Sequence, residues 1–295
     1  MFPTNSRGVS SVHEMYRRKI WNSCVAIQIV LDEDEIQKLI HKDVEDILRS
    51  ARARPFYAMA SRTSYFPLLL TQLRRHYYSV FAALGQVAGD IQPWLEYDSV
   101  PLPWHYFIGH LFDEYACWSA QHAAGPWILA LRFSEYPSTL LPGIAWNAEE
   151  GGGAIGTHFY SMLKQADYIR YGVCKAVNAL TKTEQTQLWD GVWTHSYDKF
   201  WKVNSKLLGD DPQRNWRGIP IRLYQGNHFG DRKIIQIPVS FNDCTTIADI
   251  LSTFLLEDHR IYSHGVQLPL DALLSWLVLY FIFPDGFLHL IAVEN

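Results

Sequence analysis

A chain of 295 residues with a net charge of −4 has room for two or three small domains. Hydrophobic residues at 48% and charged residues at 19% describe a soluble globular protein, and 14% aromatic residues predict well-filled contacts. The four cysteines show no CxxC and no metal-ligand rhythm, and no N-x-S/T sequon occurs, which suits a reducing cytosol.

In chain order, residues 1–22 read as an N-terminal tail and helix without the apolar run of a signal peptide. VAIQIVL at 25–31 and PFYAMAS at 55–61 read as strands, separated by an acidic, helix-like insert at 32–53. Beyond residue 47 the sign reverses: Arg49, Arg52, Arg54, Arg62, Arg74 and Arg75 occur before Gly89 with no acid among them. That run reads either as solvated faces neutralised by the insert or as a contact with anionic lipid, with Arg74 and Arg75 as the membrane candidates. A helix through Leu68, Leu69, Leu73, Tyr77 and Phe81 follows, and WILALRF at 127–133 reads as another strand. Proline and glycine mark 134–152 as a linker.

Three helices are expected in 153–215. One runs through Lys164, one opens at the capping box Thr181-Lys-Thr-Glu184, and one passes through Phe200, Val203 and Leu207 and stops at Gly209. From 218 the chain returns to strands, IPIRLYQ and KIIQIPV, then a helix in TTIADILSTFLL, and a last strand FLHLIAV at 287–293. The apolar stretch at 273–283 is too short to span a bilayer and predicts a buried helix.

The two strand-rich regions repeat one another. Val100-Pro-Leu-Pro-Trp-His-Tyr-Phe-Ile-Gly-His-Leu111 lines up with Val266-Gln-Leu-Pro-Leu-Asp-Ala-Leu-Leu-Ser-Trp-Leu277, and each copy leads to a strand. Strand, strand, helix, strand, short helix, strand is the β-grasp order of ubiquitin. The expected fold is therefore α+β, with two ubiquitin-like β-grasp domains, 23–133 and 218–295, flanking a helix-rich domain at 153–215.

Chemistry-bearing motifs are sparse. Gly151-Gly-Gly153-Ala-Ile-Gly156 matches GxGxxG, but Asn147-Ala-Glu-Glu150 precedes it where a dinucleotide fold needs a buried strand, so a flexible linker accounts for it better. No HExxH, GxSxG or legible nucleophile–histidine pairing is present, and His105 and His110 are wrongly spaced to share one helical face. No catalytic residue, cofactor, metal or nucleic-acid partner is expected. The chain ends Val-Glu-Asn instead of glycine, so it is expected to receive a ubiquitin-like modifier and not to be one.

Lys164 draws attention by its setting. At about 100° per residue, Phe159, Met162, Leu163, Ala166 and Ile169 form one stripe, and Lys164 points the other way with Tyr160, Tyr168 and Tyr171 around it. The tyrosines make either a platform around a presented lysine or ordinary packing.

The blocks WLEYDSVPLPWHYFIGHLFDEY, PWILALRFSEYP, HFYSMLKQAD, LWDGVWTHSYDKFW, IPIRLYQ and PDGFLHLIAV resemble, in that order, the autophagy protein 5 family over residues 20–295. The resemblance implies a scaffold that is not an enzyme by itself. It implies an isopeptide bond from one lysine, Lys164 in MLKQAD, to the C-terminal glycine of the ubiquitin-like autophagy protein 12, delivered by a transient conjugating enzyme. It further implies binding of the N-terminal helix of autophagy protein 16, in a groove needing all three domains. The assembly would act like a ubiquitin ligase, promoting transfer of autophagy protein 8 to phosphatidylethanolamine. Its expected location is cytoplasmic and peripheral on the pre-autophagosomal membrane. The alternative reading is a β-grasp interaction module that forms no adduct.

Overall fold

Alternation of apolar and polar residues sets the first sheet. The computed structural model describes residues 6–38, 45–88, 92–116, 125–141, 153–208, 216–225, 233–236, 239–240 and 245–294. After α1 (Ser6–Trp21), the strand β1 (Cys24–Leu31) turns Val25, Ile27, Ile29 and Leu31 inward, as a half-buried strand must. The acidic insert forms α2 (Glu33–Lys38) and α3 (Glu45–Arg52), and β2 (Phe56–Ser61) follows. Helices α4 (Leu70–His76) and α5 (Tyr78–Ala88) lead to β3 (Trp94–Tyr97), β4 (Val100–Pro101), α6 (Ile108–Tyr115) and β5 (Trp127–Arg132).

These elements build a five-stranded sheet of order β2-β1-β5-β3-β4, with β1 and β5 parallel. Its core joins Ile27, Ile29, Val80, Ile108, Leu111 and Trp127. Tyr77 ties helix to sheet: its hydroxyl donates to Ile29 O at 2.9 Å and accepts from Phe56 N at 3.2 Å, and burial pushes its pKa up to about 12. The insert is fastened by Glu35, fully buried, whose Oε1 accepts from Phe133 N at 2.8 Å and Ser134 N at 2.5 Å. Buried carboxylates need such donors.

The helical region contains α7 (Gly153–Tyr171), α8 (Lys175–Asn178), α9 (Lys182–Trp193) and α10 (Tyr197–Leu208). Thr181 and Glu184 close the capping box that the sequence predicts, with Glu184 N donating to Thr181 Oγ1 at 3.2 Å and Thr181 N to Glu184 Oε2 at 2.8 Å. Gly191 lets α9 and α10 approach, because a Cβ there would lie 2.6 Å from the Phe200 backbone nitrogen. Residues 142–152 and 209–215, which hold most of the predicted linker and the Gly209 stop, lie outside the described residues.

The last region contains β6 (Gly218–Ile219), β7 (Ile221–Gln225), β8 (Lys233–Ile235), β9 (Val239–Ser240), α11 (Ile247–Phe254), β10 (His259–Ser263), β11 (Val266–Gln267), α12 (Leu274–Tyr280) and β12 (Leu288–Glu294). Strands β6 and β9 pair as a separate two-stranded sheet, and the other five form a second sheet whose order, β8-β7-β12-β10-β11, reproduces the first sheet strand for strand, again with a parallel central pair, β7 and β12. The β3–β4 and β10–β11 hairpins even share their turn. Asp98 and Ser99 (φ 48° and 63°) and His264 and Gly265 (φ 51° and 79°) hold two consecutive positive φ values, the type I′ geometry that matches strand twist. The internal repeat is therefore structural, and the fold is the expected α+β arrangement of two β-grasp domains around a helical region.

By contact, the chain divides into Cys24–Ala60 with Ser64–Ile155, and Met1–Ser23 with Ser61–Thr63 and Gly156–Asn295. The N-terminal helix belongs to the latter unit. Trp21 stacks on His195 with ring centroids 5.1 Å apart, Arg17 Nε donates to Leu279 O at 2.9 Å, and the Arg17 guanidinium lies 4.6 Å from the Trp201 ring centroid.

Candidate functional site

The arithmetic of a helix predicts a presented lysine, and α7 presents it. Phe159, Met162, Leu163 and Ala166 are buried, Ile169 packs beside them, and Lys164 is exposed on the other side. Its main chain is held as well, since the Cys174 thiol donates to Lys164 O at 3.3 Å and Val177 N donates to Asp167 Oδ2 at 3.0 Å. The lysine is an exposed side chain on a fixed base.

The seat of that helix is the turn Pro284–Phe287. Phe287, with no exposed surface, packs against Met162 and Ala166. Gly286 sits at φ +87°, and a Cβ there would stand 2.9 Å from the Ala166 Cβ, so only glycine lets the turn touch the helix. Arg170 reaches over the turn to donate through Nη2 to Gly286 O, and burial lowers its pKa to about 10. Below the turn, His289 Nε2 meets Asp285 Oδ2 at 2.9 Å and His289 Nδ1 meets the Tyr224 hydroxyl at 2.8 Å. Burial alone would push the Asp285 carboxyl up; His289 beside it holds it below its ordinary value.

The tyrosines divide. Tyr160 is half-buried, donates its hydroxyl to Gln185 O, and has its pKa pushed up to about 12 chiefly by burial. Tyr171 donates to Leu207 O at 3.0 Å and accepts from Trp216 Nε1 at 3.2 Å. Both pack the helical bundle, because a buried phenol needs a partner and each finds one on a neighbouring segment. Of the candidate platform, Tyr160 and Tyr171 thus have their hydroxyls committed to the bundle. Tyr168, 60% exposed, alone of the three stays open beside Lys164.

The arginine run is not one surface. Arg49 pairs with Glu45 at 2.9 Å and Arg52 with Glu33, so the insert neutralises its own neighbours. Arg62 is 6% exposed and lies beside Gly265, which belongs to the same compact unit. Arg74 and Arg75 are exposed in the last turn of α4, Arg74 with its guanidinium 5.8 Å from the Phe81 ring centroid. No group of three potential metal ligands occurs among the described residues, nor any helix long and apolar enough to cross a membrane.

Sequence reasoning missed the seat. One signal was available: Arg170 falls on the same stripe as Phe159 and Ala166, and a charge at a core position announces a buried partner. What that partner is, a carbonyl in a turn far along the chain, no periodicity reveals.

Comparison with known proteins agrees with this layout. Three family models match in succession: the UblA domain of autophagy protein ATG5 over residues 20–133, its alpha-helical bundle region over 153–210, and its UblB domain over 218–292. A protein named autophagy protein 5 from Drosophila melanogaster is 29% identical over 280 residues, covering 92% of this chain and 94% of its own. Its namesake from Phaeosphaeria nodorum is 29% identical over 333 residues, covering 98% and 99%. The crystal structure of Kluyveromyces marxianus Atg5 shares the fold, with a TM-score of 0.75, 20% identity, and coverage of 95% of this chain and 100% of that one. With its two β-grasp sheets and the helices between them matched in order by models of a single protein, the chain belongs to the autophagy protein 5 family.

Proposed function

We propose that this autophagy protein is a conjugation scaffold whose Lys164 accepts the C-terminal glycine of the ubiquitin-like autophagy protein 12. The observation that carries the reading is a single exposed lysine standing on a helix whose opposite face is locked by Phe287, Gly286 and Arg170. Such a lysine is accessible to a large, thioester-charged donor, and the fixed backbone limits the orientations the amine must search. In the reaction the Lys164 nitrogen forms a bond to the glycine carbonyl carbon, the carbon–sulfur bond to the conjugating enzyme breaks, and the thiolate departs. The amine attacks in its unprotonated form, its proton passing to solvent.

On this reading the chain is not catalytic alone. Bound to the N-terminal helix of autophagy protein 16, the conjugate works as a ligase-like assembly at the pre-autophagosomal membrane, promoting lipidation of autophagy protein 8. The rest of the time it is cytoplasmic, and Arg74 and Arg75 supply a weak contact with anionic lipid. Replacing Lys164 with arginine keeps charge and length but removes the nucleophile, because the guanidinium stays protonated. A denaturing immunoblot should show the heavier species in wild type and its loss in Lys164→Arg, with Lys175→Arg, Lys182→Arg and Lys199→Arg unaffected. Persistence of the adduct in Lys164→Arg, with the isopeptide mapped by mass spectrometry to another lysine, would refute the assignment.

A further inference from the structure

A strip of open surface runs from Lys164 to Arg222 on β7 of the second sheet. On α7, Ser161, Lys164, Gln165 and Tyr168 are all exposed. At 100° per residue, with Lys164 at zero, Tyr168 falls near about 40°, Ser161 near about 60° and Gln165 near about 100°, which makes one continuous face. At its far side Gln165 Oε1 accepts from Arg222 Nη2 at 3.1 Å.

Arg222, on β7, is held from three directions. Beyond Gln165, its Nε donates to Gln236 Oε1 at 2.8 Å, and its guanidinium lies 4.6 Å from the centroid of the Phe287 ring. A guanidinium carries five N–H donors and no acceptor. Two hydrogen bonds to side-chain amides leave most of those donors unused among the described residues, on a half-buried group already fixed in place. A fixed arginine with donors to spare, at the end of a strip leading to a nucleophile, suits a ligand rich in acceptors.

The tail of a ubiquitin-like modifier is such a ligand. An extended chain ending in glycine offers no side chain at its tip, so its main-chain carbonyl oxygens are what a protein can read. We propose that Arg222 is a substrate-binding residue of the acceptor site, donating to carbonyl oxygens of the modifier's glycine-ended tail as it lies along the Tyr168 strip while Lys164 attacks the thioester. This rests on Lys164 being the acceptor. Arg222 takes no part in the bond changes; it holds the acyl group in register with the amine, and the carbon–sulfur bond breaks as the isopeptide bond forms.

The test is single-turnover discharge of the thioester-charged conjugating enzyme onto the full chain, with rates followed against chain concentration. Arg222→Ala should discharge at least tenfold more slowly than wild type. Arg222→Lys, which keeps the charge and the stem over Phe287 but not the fork, should fall between them and secures the test against a folding defect in the alanine variant. A second readout separates binding from mere support of α7: acetylation of Lys164 by a small acetyl thioester, quantified by mass spectrometry, should be equal in wild type and both variants, because that reagent has no tail. Discharge within twofold of wild type in both Arg222 variants, with Lys164→Arg inactive, would overturn the role of Arg222 and leave the acceptor standing. Equal slowing with the tailed and the tailless thioester would also overturn it, in favour of a structural role. Unimpaired discharge onto Lys164→Arg would instead remove the acceptor assignment itself.

Discussion

Adding one methyl group at Gly286 tests how tightly α7 is seated. At φ +87° an L-residue meets the left-handed penalty of about 1–2 kcal/mol. The new Cβ would also stand 2.9 Å from the Ala166 Cβ and 3.0 Å from Arg170 Nη2, closer than ordinary contact. Neither neighbour yields easily: Ala166 is part of a helix backbone, and Arg170 is 1% exposed and tied to Gly286 O. Overpacking of this kind adds about 1–3 kcal/mol. Gly286→Ala should therefore lose about 2–5 kcal/mol, a large part of the stability of an ordinary domain, on the order of 5–15 kcal/mol. Urea unfolding followed by tryptophan fluorescence measures it, with Gly125→Ala as control, because a Cβ at Gly125 meets nothing within 4 Å. A loss below about 1 kcal/mol relative to that control, smaller than the backbone penalty alone, would show that turn and helix do not meet as described.

Other outcomes follow from single contacts. His264, buried against Phe283 at a ring separation of 3.8 Å, has its pKa lowered to about 3, first by burial and then by Arg62. Unfolding lets it bind a proton at its ordinary 6.5, so its contribution is present above pH 6.5 and is lost as pH falls towards 3. At pH 5.5 the loss should be about 1.4 kcal/mol, and His264→Asn, tolerated at φ 51°, should flatten that slope in denaturation curves. Tyr160→Phe should cost about 0.5–1.5 kcal/mol by removing the hydroxyl's bond to Gln185 O and should leave conjugation unchanged. Tyr168→Ala should do the reverse, with stability within about 0.5 kcal/mol of wild type and slower conjugation; equal effects in the two variants would refute the division of the tyrosines. Flotation with anionic vesicles should weaken on Arg74→Glu with Arg75→Glu, and with rising salt; indifference to both would discard that surface.

Local rules made much of the fold legible. Apolar runs in VAIQIVL and FLHLIAV placed the central strands, Thr181 and Glu184 placed a helix start, and the repeat between residues 100–111 and 266–277 anticipated two sheets with one strand order. Lys164 was legible because direction on a helix is arithmetic. The surroundings of the site were not. Tyr160, Tyr168 and Tyr171 share a residue type and a neighbourhood in sequence, and only the carbonyls of Gln185 and Leu207, on other helices, separate the packed pair from the open one. Likewise Arg62 looks like any member of a basic run until the hairpin at Gly265 closes over it. Periodicity gives the way a side chain points; what it meets there depends on chain that returns from far away.

That late return bears on biosynthesis. Helix α7 leaves the ribosome long before Phe287, and the N-terminal helix waits longer still for its contact with Leu279. A nascent or prematurely terminated chain carries Lys164 on a helix without its seat. The first β-grasp sheet, by contrast, has all its strands once Arg132 has emerged. Translation thus matures the first sheet early and leaves Lys164 without its seat until the last strands are in place; under the proposed function, a charged conjugating enzyme would meet an ordered lysine only on chains read through to their final sheet.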